Sequence, residues 1–394
     1  MDRTLPRLAA VALACLISSR GLAAQITPVG PEVRADTFLL DGPSCPLLAV
    51  GPGRSFEIVW DYNSLGDQSV HGRHYSASGE PTSPTQVKIV QGNFYDYAVV
   101  SAITPSPDGF QVFYTIIDTQ LEFPPADFRQ RLDLNGSPVG PAERIKPDTR
   151  VLAGPEGALY AAYYQARAKN LFIQPVLPDG TSRGRRIVLN TRAIDQPSPQ
   201  LAPLSGDDFA VVWSGVATGK RPRQVIRGRV VRNGVPVGQD FDVNTVPLGP
   251  KGSYPSVFEL RAVGAPSGGG FAVVWTVRES ASTSIHLRFF DASGRPRTPE
   301  TVVVPSAPAF MTFSAALDGA GNLLLLWRPP IQTVLRARLF SATTGAPLGP
   351  AYQLDSLGAF ACGDLAWAGD SWILAYRTAG DEGHGAVVWR RFTE

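Results

Sequence analysis

Five consecutive residues, Phe209 to Trp213 (FAVVW), are apolar at every position, rich in β-branched and aromatic side chains, and preceded by the turn-forming run Ser205-Gly206-Asp207-Asp208. An apolar run this short, without alternation, fits a strand covered on both faces. Variants recur along the whole chain: FEIVW at 56–60, FQVFY at 110–114, LYAAY at 159–163, FAVVW at 271–275, LLLLW at 323–327 and WILAY at 372–376. Each ends in an aromatic residue. A chain that repeats one buried strand in this way must stack or close its repeats, because no single copy buries both faces alone.

The stretch from Gln196 to Thr245 shows what surrounds the strand. A short apolar segment from Pro199 to Leu204 precedes it, and a mixed apolar and arginine segment from Val225 to Arg232 follows a polar loop. Asn233-Gly234 then gives a strong hairpin signal, because a type I′ turn needs positive φ at both central residues. Phe241 to Asn244 alternates like a half-exposed outer strand. The unit is a four-stranded antiparallel meander, and a period of about 50 residues points to a radially repeated sheet. The last copy stops after its third strand, Ala386 to Thr393, while Thr27 to Arg34 resembles a fourth strand without a blade of its own. The expected fold is therefore all-β: a seven-bladed β-propeller of four-stranded antiparallel blades, its ring closed by the N-terminal strand completing the last blade. Cys45 and Cys362 fall at nearly equivalent first-strand positions in blades one and seven. In a closed ring these blades are neighbours, which predicts a Cys45–Cys362 disulfide; the alternative is two buried free thiols.

The pattern FxVVW, a variable loop, and then R-x-R-x-x-x-x-G-x-P-x-G-x-x-F-x-V-N is similar to the repeats of bacterial secreted β-propellers. The resemblance covers roughly residues 25 to 394 and is clearest in blades four to six. It implies a fold rather than a chemistry.

Residues 1–24 read as a signal peptide, leaving 25–394 as a single propeller domain. Arg3 and Arg7 make a positive start, Leu8 to Ile17 an apolar stretch too short to span a bilayer, and Leu22-Ala23-Ala24 a small-residue cleavage region. The expected location is secreted or periplasmic, with lipoprotein anchoring at Cys15 as a minor alternative. No later segment reads as transmembrane, and a monomer is expected. The formal charge of +2, from 36 basic and 34 acidic residues, argues against nucleic acid as a partner.

Function would sit in the loops between second and third strands and between blades, which share one face and vary in length and chemistry. The candidate ligand-binding residues are the junction aromatics Tyr95 and Tyr254 and the basic residues Arg221 and Arg223 of blade four. Catalytic constellations are thin. His71-x-x-His74 lies on a predicted strand, where a spacing of three sends the side chains to opposite faces, so no metal site is expected there. Asp118, Glu122 and Asp127 share one loop without the spacing of a calcium loop. No cofactor is expected. Two functions follow: an exported, non-enzymatic binding or scaffold propeller recognising a protein, peptide or glycan, or an extracellular polysaccharide-active hydrolase or lyase with its site at the channel mouth.

Overall fold

In the computed structural model, residues 26–37, 43–62, 68–92, 96–118, 120, 124–145, 150–153, 158–177, 181–250, 253, 255–308, 312–328, 334–354, 362–378 and 385–394 are described. Their strands form seven four-stranded antiparallel sheets, each a meander in chain order except the last. In that sheet the N-terminal strand Thr27–Arg34 pairs with Ala386–Thr393, with Thr27 opposite Thr393 and Arg34 opposite Val388. The ring closes as expected, and both ends of the described chain lie in one blade.

Each second strand is the buried spine of its blade. Its side chains alternate between neighbours, so Phe209, Val211 and Trp213 pack into the core shared with blade three, while Ala210 and Val212 pack toward blade five. This two-sided burial is why the strand is apolar at every position. The outer strands are handled differently. Asn233 and Gly234 adopt φ of 48° and 74°, making the expected hairpin turn, and Gly238 at φ 62° accompanies a break in register between the third and fourth strands. A kinked outer strand is a poor template for pairing with another chain.

Arginines of the third strands fasten one blade to the next. Arg73 donates to the backbone carbonyls of Arg34 and Ala35, Arg229 to Val188 and Leu189, and Arg288 to Val243. In each case the acceptor lies at the end of the preceding blade's outer strand. A second tie runs beside it. Thr37 binds Gln86, Thr191 binds Asp240, and Thr245 binds Glu300 through backbone and hydroxyl groups. The arginines that alternate along these strands are thus mortar between blades.

The inner strands differ in length and regularity. Those of blades two, four and five span Asp96–Ser106, Ile194–Pro203 and Ser256–Gly264, against Leu47–Val50 in blade one and Phe313–Leu317 in blade six. Each of the three long strands carries a register shift, at Ser101, at Gln196–Pro197 and at Phe258–Glu259. Bulges re-aim side chains and gather near functional sites.

Candidate site at the channel mouth

The first strands begin on the face that also carries the loops between second and third strands. Here the Cys45–Cys362 disulfide joins blade one to blade seven with a Cα–Cα distance of 5.3 Å, which excludes the two-thiol alternative. Beside it lies a cavity of about 200 Å³ whose lining includes both cysteines, Glu259, Arg261, Ser314 and Arg328. Four blades contribute to it, so its shape depends on closure of the ring.

The carboxylates on this face are held by neighbouring blades. Asp364 of blade seven accepts the Leu48 N–H of blade one at 3.1 Å and the Ser314 hydroxyl of blade six at 2.8 Å. Asp61 accepts the Ser44 hydroxyl at 2.8 Å and the Val100 N–H of blade two at 3.0 Å; burial nevertheless raises its pKa. Burial likewise raises Glu259, opposed by Arg261 at 3.5 Å and by the Phe313 N–H of blade six. Asp195 binds Tyr164 and Lys169 of blade three. Asp364, Asp61, Glu259 and Asp195 each tie one blade to a neighbouring one.

The described histidines lie inside blades. His71 stacks on Trp60 between Ser69 and Gln86, and His286 stacks on Trp275 between Ser284 and Glu300. Thus Ser69-x-His71 and Ser284-x-His286 are one repeated structural device. His74 points to the opposite side of its strand from His71, onto fully buried Glu57 at 3.1 Å. Burial pushes Glu57 well up and His74 down. Both shifts favour the uncharged forms of the pair. His71 and His74 thus lie on opposite faces of their strand, each with partners of its own.

Blade four presents a different chemistry. Its second and third strands run longer than their apolar cores, because Val216 and Val225 are also buried, so only 218–222 remain outside the ladder. Arg223, expected in the loop, instead begins the third strand opposite Ala217, and its backbone bridges to Pro250. Lys220, Arg221 and Arg223 are all exposed, and none forms an ion pair among the described residues. The two aromatic candidates, Tyr95 and Tyr254, lie outside the described residues, as do Phe94, Phe310, Phe360, Glu122 and His384. Of the acidic loop in blade two, Asp118 lines a cavity of about 260 Å³ with Asp96 and Arg144. The exposed ring of Phe258, at a bulge, was missed by reading only segment ends for aromatics.

No family model matches the chain, and no curated protein matches it in sequence. Solved structures do superpose on it. An ulvan lyase described as bound to -[GlcA(1-4)Rha3S]- gives a TM-score of 0.50 at 10% identity, over 92% of this chain and 95% of that one. A second polysaccharide lyase gives 0.50 at 10% identity, over 86% and 88%. A prolyl endopeptidase gives 0.52 at 14% identity over 91% of this chain and 47% of that one, so the chain spans about half of that enzyme. At such identities the likeness is one of fold.

Proposed function

We propose that this is an exported, non-enzymatic binding propeller that takes an anionic extracellular glycan on its loop-rich face. The carrying observation is the contrast between two sets of basic side chains in blade four. Arg229 is spent on carbonyls of the neighbouring blade, whereas Lys220, Arg221 and Arg223 stand exposed without counter-charges among the described residues. Exposed guanidinium forks on a rigid frame suit bidentate binding of carboxylate or sulfate groups. The disulfide supports an oxidising compartment, in line with residues 1–24 acting as an export signal.

The enzymatic reading is kept as a second one because two superposed structures are polysaccharide lyases. Against it, the described histidines are packed within blades and the carboxylates at the mouth bind neighbouring backbone or side chains. A glycan array comparing uronate- and sulfate-bearing chains with neutral ones tests both readings. The expected outcome is binding to acidic glycans without cleavage, reduced at least about tenfold by a combined Arg221→Ala and Arg223→Ala change. Binding confined to neutral glycans, or none, contradicts the proposal. Release of unsaturated oligosaccharides would establish the lyase reading instead.

A further inference from the structure

Among the described residues, the seven interfaces between blades are not equally filled. In every second strand, alternate residues face the preceding blade: Phe209, Val211 and Trp213 in blade four, Phe271, Val273 and Trp275 in blade five, Leu323, Leu325 and Trp327 in blade six. In blade three the same positions are Leu159, Ala161 and Tyr163. The set has lost a ring and an aliphatic branch, and it faces blade two. Blade two compounds the deficit. The bulge at Ser101 shifts the register from Val100 opposite Tyr114 to Ala102 opposite Phe113. Small Ala102 therefore packs toward blade three, where an unbulged strand would turn it away.

Beside this interface a cavity of about 460 Å³ lies between Phe113 and Phe128 of blade two, Leu152 of blade three and Leu201 of blade four, with Ala102 in its lining. Its size falls within the usual range for small-molecule pockets. Exposed Ser101 and half-buried Gln200, both on inner strands, place its opening on the axial channel. The walls are not a dry gap. Ser101, Thr104, Thr115 and Gln200 put polar side chains among its lining. Tyr114 also lines it; burial pushes the phenol up to about 12, so the hydroxyl remains protonated and able to donate. Asp127 accepts the Thr115 hydroxyl at 2.6 Å and is the only charged residue of the lining among the described residues.

We infer that this cavity is a binding site for a compact amphipathic molecule, an apolar ring system carrying a neutral or cationic hydrogen-bonding group, and that it discriminates against anions. The rings and aliphatic side chains supply the apolar walls, exposed Ser101 and the Tyr114 phenol bring hydroxyl groups to the lining, and Asp127 repels negative charge. The site is separate from the cationic loop of blade four and stands whether or not that loop binds glycans.

Phenylnaphthylamine, a neutral fluorescent amine, and its sulfonated counterpart anilinonaphthalene sulfonate share a ring system and differ in charge. Titrated into the full chain, the amine is expected to give saturable one-to-one fluorescence enhancement, with the sulfonate at least about tenfold weaker. Ala102→Leu, which fills the cavity, should weaken the amine at least about tenfold while preserving near-ultraviolet dichroism and the melting temperature. If that variant fails to fold, Ala102→Val carries the same test. Absence of saturable binding, equal affinity for both probes, or undiminished affinity in a folded Ala102 variant overturns the inference.

Discussion

Between blades four and five, Phe271, Val273 and Trp275 meet Ala210, Val212 and Val230 in a dense core, with Arg288 and Glu300 fastening its outer rim. Between blades two and three, the described buried core is Phe113, Ile145, Leu159, Ala161 and Val176, the smallest of the seven, and a cavity opens beside it. The backbone plan of the two interfaces is the same. What differs is the side-chain volume delivered to equivalent positions, and this shows how a repeat protein can keep its frame while altering one junction. The frame tolerates the loss because each blade interacts with only two others, so a deficit at one interface stays local.

The difference can be tested by perturbing each side, and the disulfide sets the scale. Replacing Cys45 and Cys362 with serine removes a cross-link across a sequence separation of 317 residues. The chain-entropy model predicts a loss of at most about 4–6 kcal/mol, read by denaturant unfolding under oxidising conditions. Next comes Phe271→Ala in the filled interface, expected to cost about 3–5 kcal/mol, whereas Leu159→Ala at the matching position of blade three should cost about 2 kcal/mol, the low end for such a truncation. Similar costs at both positions would erase the distinction.

Acid should act on the filled interface. Burial raises the Glu300 pKa, but hydrogen bonds from His286 and from the backbone of Val246 and Thr245 outweigh it and hold the carboxyl at about 2, below its usual 4.5. A depressed carboxyl pKa contributes stability that is fully present above pH 4.5 and lost as pH falls toward about 2, here on the order of 2–3 kcal/mol. Glu300→Gln should flatten that part of the stability-against-pH curve; an unchanged curve would show the tie to be weak. The smallest effect is expected from Ala161→Val, which restores the aliphatic residue found at this place in blades four and five. The added apolar burial should stabilise by about 0.5–1 kcal/mol, and destabilisation would mean that the core around Phe113 has no room to give.

Much of the frame was legible in the sequence because it depends on local apolar pattern. The second strands, the Asn233-Gly234 turn, the N-terminal strand of the last blade and the Cys45–Cys362 bridge all follow from residue type and repeat position. The ties between blades were not read. Arg73, Arg229 and Arg288 bind backbone carbonyls, which leave no complementary side chain to recognise. Thr191 and Asp240 lie 49 residues apart, one repeat, so a comparison of residues at that spacing would have exposed their pairing. The cavity was not visible: no residue of LYAAY lines it, and Ala102 reaches it through the bulge at Ser101, a register feature that composition does not encode. For the candidate site, Arg221 and Arg223 are exposed without an ion pair among the described residues, while Tyr95 and Tyr254 lie outside the described residues.

Native-state hydrogen exchange resolved to single strands tests the contrast between the two interfaces most directly. Amides of Gly270–Arg278, the spine of blade five, should exchange only through global unfolding. Those of Leu159–Gln165, the spine of blade three, should exchange at least about a hundredfold faster through local opening beside the cavity. Equal protection of the two strands would contradict the account, because it would mean that the interface between blades two and three is as well packed as the rest of the ring.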